Sequence, residues 1–397
     1  MSKRLILHIG SPKTGTTSIQ SFLVKNRARL KKNGYLVPNL SARWKNIASA
    51  ETGYFLQRVI LQELGFAPRK HSAVRINTCK DEILSQMEGF DGSVILSEER
   101  LWYLFGGNDH AVDKLKEFTD GMGFTEYKIF AYVRRQDLFA KSYWEQFLKT
   151  HPDRGLTFKE YLESDMCKDS EDYNDIIGKL ERAFGRESIE LRIYDRKQLI
   201  DGDSVTDFMD MLGLDINDGF NKLVEEKNGR IEGNAFNELK RLAALCPSYA
   251  ADKENYLRSI ITRFSSENKD ANPGGVFTPQ ERAEYLAKFE EGNNSIARRY
   301  FDRDELFGPN KVDDQPKWEP ATGELASDAF LVLVEALSEE RNKRKELEKA
   351  LCKQTEQLES KIGQLEDKIN YLERVNRNSL GLKVERALRG AKMKRED

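Results

Sequence analysis

The sequence predicts an α/β fold, a parallel sheet with flanking helices, followed by a C-terminal helical coiled coil. Three observations predict it. Short apolar runs alternate with amphipathic stretches across residues 5–213. The first run opens into a loop bearing Gly10 and Gly15 ahead of a helical stretch. Beyond residue 350, leucines recur every seven residues.

Leu5 to Ile9 reads as a buried parallel strand, because a continuous apolar run has no wet face to alternate with. Thr17 to Lys32 then carries Ile19, Phe22, Leu23 and Leu30 among basic residues, and Asn33-Gly34 supplies a helix stop. Ser93–Leu96 is a second strand, followed by Glu98 and Glu99 and a helix over Glu98–Leu104. Lys128–Val133 is a third, leading into Arg134, Arg135 and a helix over Asp137–Lys149. Ile189–Tyr194 is a fourth, with a helix over Asp207–Leu212 closed by Gly213. Residues 235–305 read as helical, after which Gly308-Pro309, Pro316 and Pro320 punctuate a polar stretch.

The chain therefore divides into an α/β domain over 1–308, a linker over 309–327, a coiled coil over 328–376 and a basic tail over 377–397. Leu351, Leu358, Leu365 and Leu372 repeat every seven residues, with Ile362 and Ile369 three residues ahead of the last two. Isoleucine at a with leucine at d favours a parallel two-stranded coil, so a homodimer is expected; Gly363 falls on an outer position. The alternative is a long solvated helix. In the tail, Leu380, Val384 and Leu388 share a helical face among seven Lys or Arg. That pattern suits either peripheral contact with an anionic membrane surface or a frayed, basic coil end.

With 397 residues and a net charge of -2, the chain has no global field to attract nucleic acid, and no nucleic-acid partner is expected. Cys79, Cys167, Cys246 and Cys352 show no CxxC pairing, which fits a reducing compartment. The first apolar run is only a strand long, neither a signal peptide nor a membrane span, so the expected location is the cytoplasm.

The string Gly10-Ser-Pro-Lys-Thr-Gly15-Thr-Thr places two glycines five residues apart between a strand and a helix. Glycine lets backbone N–H groups approach phosphate oxygens, and the helix N-terminus adds partial positive charge. A nucleoside triphosphate loop needs lysine directly after the second glycine, where this chain has Thr16; its lysine is Lys13, inside the loop. No strand ending in a magnesium-binding aspartate follows.

The segment Leu7-His-Ile-Gly-Ser-Pro-Lys-Thr-Gly-Thr-Thr-Ser-Ile-Gln20 resembles the 5′-phosphosulfate loop of sulfotransferases that use 3′-phosphoadenosine 5′-phosphosulfate (PAPS), in particular bacterial members acting on carbohydrates. The resemblance spans residues 4 to 308 and closes on Asn293–Tyr300 and Asp304–Phe307. It implies a P-loop-NTPase-like sulfotransferase fold, with Ser11, Lys13, Thr14, Gly15, Thr16 and Thr17 on the cofactor and no metal. Arg134 ends a strand and Ser142 lies eight residues later in the next helix, a fork and a hydroxyl suited to a second phosphate. The resemblance makes this the 3′-phosphate site and implies that Ser142 also restrains Lys13; the family's asparagine and proline are replaced by Arg135 and Gln136. Tyr194, in Ile-Tyr-Asp195, is similar to the family's adenine-flanking tyrosine, although a core role is open to it. Arg230, in Asn228-Gly-Arg, is a further expected contact.

Transfer to a hydroxyl needs a base, commonly His or Glu. Ser97-Glu98-Glu99 follows the strand whose end carries the catalytic histidine in cytosolic members. In an extended segment Ser97 and Glu99 share a face, so Glu99 is favoured, with Glu98 as the fallback and helix capping as the ordinary alternative. His8 is expected as a satisfied buried histidine. The implied acceptor is a polysaccharide or glycolipid, handled at the inner membrane face. Residues 40–80 and 145–175 are expected to line its pocket, and Trp44, Trp102, Tyr103 and Trp144 are candidate sugar platforms. Two other readings stand beside this one: a P-loop kinase, and a non-catalytic coiled-coil scaffold on a retired nucleotide fold.

Overall fold

The computed structural model describes residues 3–42, 51–66, 72–150, 157–222, 275–314, 317 and 324–393. They form two units, Met1–Ala321 and Thr322–Asp397.

The first unit is built on five strands: β1 (Arg4–His8), β2 (Tyr35–Leu36), β3 (Ser93–Ser97), β4 (Glu126–Val133) and β5 (Ile189–Ile193). They lie in the order β2-β3-β1-β4-β5, and every pairing is parallel. The four longer strands are those the apolar runs predict. β2 is a two-residue edge strand, too short to carry any periodicity.

Side chains alternate across this sheet and are buried on both sides. Leu5, Leu7, Val94, Leu96, Ile129 and Ala131 face one core. Ile6, Ile95, Phe130 and Tyr132 face the other. The first core is closed by α3 (Tyr54–Glu63), α4 (Ser72–Met87), α5 (Leu101–Gly107), α6 (Ala111–Asp120) and α10 (Tyr173–Phe184). The second is closed by α1 (Thr16–Lys25), α2 (Arg27–Lys32) and α11 (Ser204–Met211). Helices on both faces are what two buried sheet faces require. A satellite cluster joins α7 (Gln136–Thr150), α8 (Phe158–Glu163), α9 (Asp165–Glu171) and α12 (Pro279–Ala287) through Ala140, Tyr161, Cys167 and Tyr285. α13 (Glu290–Phe301) returns to the first core with Ile296 and Ala297.

Within the first unit the structure differs from the sequence reading at several points. The helix expected over Thr17–Lys32 is two helices broken at Asn26, because the Asn26 amide donates to the Phe22 carbonyl (3.0 Å) and exchanges bonds with the Asn221 backbone (2.8 and 3.1 Å). The helix expected from Glu98 starts at Leu101, so Glu98 and Glu99 sit in the preceding turn. The start of the expected linker is bound to the first unit: the Asp313 carboxylate pairs with Arg135 and its carbonyl accepts from Arg282, and Lys317 pairs with Glu281 at 2.8 Å. Of residues 235–305, positions up to 274 lie outside the described residues, as does Trp44.

The second unit is one helix, α14 (Glu324–Met393), 70 residues long. It runs through the junction at 376 where coil and tail were expected to part. Leu351, Leu358, Ile362, Leu365, Ile369 and Leu372 are 54–64% exposed. Among the described residues no helix is long and apolar enough to cross a membrane.

Candidate active site

In this strand order β1 lies between β3 and β4, so the loops leaving their carboxyl ends meet at one crest. Pairing continues beyond β1: Ile9 N–H donates to the Phe130 carbonyl (3.1 Å), Ser11 N–H to Tyr132 (2.9 Å), and Tyr132 N–H to Gly10 (2.6 Å). The loop therefore starts as an extension of the sheet and turns only at Pro12.

Two residues make that turn possible. Lys13 has φ 66°, a left-handed conformation that a side chain adopts only where the surroundings hold it. Its carbonyl accepts from Arg134 Nη1 at 3.2 Å, and the Thr14 hydroxyl donates to the Ser11 carbonyl inside the turn. Gly15, at φ 81°, caps α1; a Cβ there would lie 2.8 Å from Ser204 Cβ and nearer still to its hydroxyl. No side chain caps α1 and its first turn holds no acid, whereas Asp172 caps α10 and Asp203 caps α11. An uncapped helix N-terminus is a place where backbone N–H groups can face an anion. Ser11 adds a buried hydroxyl with no partner of its own, and Thr17 is exposed beside it.

The two glutamates after β3 part company. Glu98 is 1% exposed, and its Cβ packs against Gly53, where an added Cβ would approach to 2.9 Å. Its Oε1 accepts from the Arg100 backbone (2.9 Å) and guanidinium (3.1 Å), and Arg100 also pairs with Glu51. Burial pushes the Glu98 carboxyl up to about 7, against the pull of Arg100. Glu99 points to the crest: its Cβ is 3.3 Å from the point where a Gly10 Cβ would stand, and Thr16 donates its hydroxyl to Oε2. Burial raises this carboxyl too, while Thr16, Arg100 and Lys13 pull the other way. Glu98 therefore holds the turn, and Glu99 is the carboxylate that faces the loop.

The arginines after β4 divide the same way. Arg134 reaches Lys13 and lies over the Tyr194 ring at 5.7 Å, while its carbonyl accepts from Tyr173 at 2.7 Å. Arg135 faces inward, bidentate on Asp137 (2.8 Å to each oxygen) and on Asp313 (2.6 and 3.1 Å). Tyr194 joins the crest because its N–H extends the β4–β5 pairing to Val133 (2.7 Å), which sets its ring 3.5 Å from the Gly15 Cβ position. Ser142 is half-buried in the second turn of α7, and Arg230 lies outside the described residues.

His8 is buried, with Nδ1 on the Ser97 hydroxyl at 2.8 Å and Phe208 edge-on at 5.3 Å. Burial lowers its pKa to about 3, so it is neutral, and Nε2 meets no partner. Trp102 is a core residue and no sugar platform: it is fully buried, with its indole N–H on the Ser170 carbonyl at 3.0 Å. Tyr103 packs on Tyr143 at 5.2 Å, and Trp144 on Phe158 at 5.2 Å. Among the described residues no group of three or more His, Cys, Asp or Glu is placed to hold a metal ion.

Three features of the crest left no local trace in the sequence: the bond from Thr16 to Glu99 across 83 positions, the seat of Ser204 on Gly15, and the hold of Arg100 on Glu51.

No protein-family model matches this chain. An uncharacterized protein of Archaeoglobus fulgidus is 29% identical over 201 residues, which cover 48% of this chain and 50% of that one. The chain thus spans about half the length of the curated relative it matches. Among solved structures, a sulfotransferase from Alicyclobacillus acidocaldarius aligns at 13% identity with a TM-score of 0.34, over 62% of this chain and 92% of that one. A likeness of that strength assigns neither a fold nor an activity.

Proposed function

We propose that the chain is a sulfotransferase that moves a sulfuryl group from PAPS to a hydroxyl of a carbohydrate acceptor, a polysaccharide or glycolipid. One observation carries the reading: Lys13, Arg134 and Glu99 meet on a single loop whose post-glycine residue, Thr16, bonds a carboxylate. A kinase reading needs a lysine at that position, where this chain has Thr16. The loop suits the 5′-phosphosulfate end, since the uncapped α1 N-terminus and the buried Ser11 hydroxyl offer donors.

When bound, the donor supplies an activated sulfur whose bond to the phosphate oxygen breaks as the acceptor oxygen bonds. Lys13 and the loop amides stabilise the charge that develops on the departing phosphate. Arg134, with Ser142 on the following helix, holds the 3′-phosphate, and Tyr194 borders the purine. Glu99 takes the acceptor's proton, a task suited to a carboxyl raised toward neutrality by burial. The carbohydrate acceptor rests on the family resemblance of the sequence.

Thermal shift separates the readings. 3′,5′-ADP is expected to stabilise the protein without metal. Stabilisation by ATP with magnesium alone would overturn the proposal, and no response to either ligand would favour the scaffold. Transfer of labelled sulfate from PAPS to candidate glycans then identifies the acceptor.

A further inference from the structure

The first unit buries most of its described apolar residues in three clusters, but α14 carries a row of leucines and isoleucines over half exposed. A stripe of that kind on a helix needs a partner surface. The charges beside it say which one.

With Leu351, Leu358, Leu365 and Leu372 at d and Ile362 and Ile369 at a, Lys361 and Lys368 fall at g, and Glu366 and Glu373 at e. None of Lys361, Lys368 and Glu366 has an opposite charge three or four residues away on its own helix. These charges are therefore not placed to brace the helix that bears them. In a parallel, in-register pair, g of one chain meets e of the next heptad on the other. Lys361 then meets the partner's Glu366, and Lys368 the partner's Glu373, on both flanks. In an antiparallel pair g meets g and e meets e, so lysine would face lysine and glutamate would face glutamate.

The ends of the seam agree with this register. Asn376 occupies the next a position, where a buried asparagine fixes register and favours two strands. Beyond it the a and d positions are Ser379, Lys383 and Arg386, so apolar pairing stops there. Ahead of Leu351 the same positions are Arg341, Arg344 and Glu348.

We infer that residues 351–376 of α14 pair with the same residues of a second copy of this chain, as a parallel, in-register, two-stranded coiled coil. Isoleucine at a with leucine at d selects two strands over three or four.

The full chain should sediment at twice its 45.7 kDa mass. A monomer that keeps its helical circular dichroism at tens of micromolar overturns the inference, and so does a trimer or tetramer. The double variant K361E/K368E places acid opposite acid and should raise the dimer dissociation constant roughly tenfold or more. E366K/E373K should do the same, and mixing the two should restore tight pairing as a heterodimer. Unchanged association in either double variant overturns the register.

Orientation is read by disulfide formation in a Cys352→Ser background. Leu358→Cys and Leu372→Cys, each alone, should both crosslink on mild oxidation, since equal positions face each other only in the parallel register. An antiparallel pair would join at most one of them, which refutes the inference. None of these readouts depends on the proposed sulfuryl transfer.

Discussion

The crest of the sheet and the long helix use similar residues to opposite ends. At the crest charged side chains meet partners from distant parts of the chain: Glu99 with Thr16, Arg134 with the Lys13 carbonyl, Arg135 with Asp313. Along α14 Arg344 pairs with Glu348 four residues on, and the apolar row stays exposed. One region ties its charged side chains to other segments of the chain, and the other leaves an apolar seam exposed. A side chain at the crest is accordingly fixed by tertiary contacts, whereas the apolar side chains of the seam are left for the association inferred above.

This contrast makes measurable claims. The largest effect is expected at Glu99. Glu99→Gln should lower the rate of sulfuryl transfer by roughly 10²–10⁴-fold. In the unsubstituted protein the rate should fall as pH drops through a value above the usual carboxylate range, because burial raises this carboxyl and only its ionised form accepts a proton. Glu98→Gln should act on stability instead, since Glu98 binds Arg100 away from the loop. Equal rate losses in the two variants would erase the distinction between them.

Lys13→Ala comes next, with a loss of roughly 10²–10³-fold in transfer and little change in melting temperature. Gly15→Ala should destabilise the first unit by about 1–3 kcal/mol, through the left-handed backbone and the close seat of Ser204; a melting curve checks it. Glu171 gives a smaller, pH-dependent effect. It is buried with a bond from Tyr285, and burial pushes its carboxyl up to about 7. Between the unfolded value, near 4.5, and about 7 the folded protein holds the extra proton, so stability should decline as pH rises through that window. Glu171→Gln should flatten the decline by about 1–2 kcal/mol in denaturant titrations. The smallest effect is truncation after Ala321. The remaining unit should keep its stability within about 0.5 kcal/mol and its shift with 3′,5′-ADP while losing self-association. A large loss of stability would show that the two regions are not independent.

The strands and the loop were legible because burial on both faces leaves continuous apolar runs and because a glycine pair between strand and helix is a local signal. The edge strand Tyr35–Leu36 and the break at Asn26 were not legible. The first is too short for a pattern, and the second is made by an asparagine side chain bonding a backbone 195 positions away. The start of the linker was misplaced for a related reason: its turn residues suit an exposed connector, yet Asp313 answers Arg135 and Arg282. At the crest the sequence named Glu98 and Glu99 together, and Arg134 beside Arg135. The burial of one member of each pair depends on Gly53 and Asp313, which no local spacing connects to them, as well as on Arg100 and Asp137 two residues away.

By itself the sequence determined the alternation of strand and helix, the position of the loop and its lysine, and the heptad seam with its flanking charges. All of these follow from periodicity and from backbone demands confined to a few neighbouring residues. The tertiary structure decided which glutamate and which arginine face the loop, and that Thr16 is bonded to Glu99. Those outcomes depend on which distant backbones the β2-β3-β1-β4-β5 order brings to one crest, and adjacent residues on a chain cannot encode that alone.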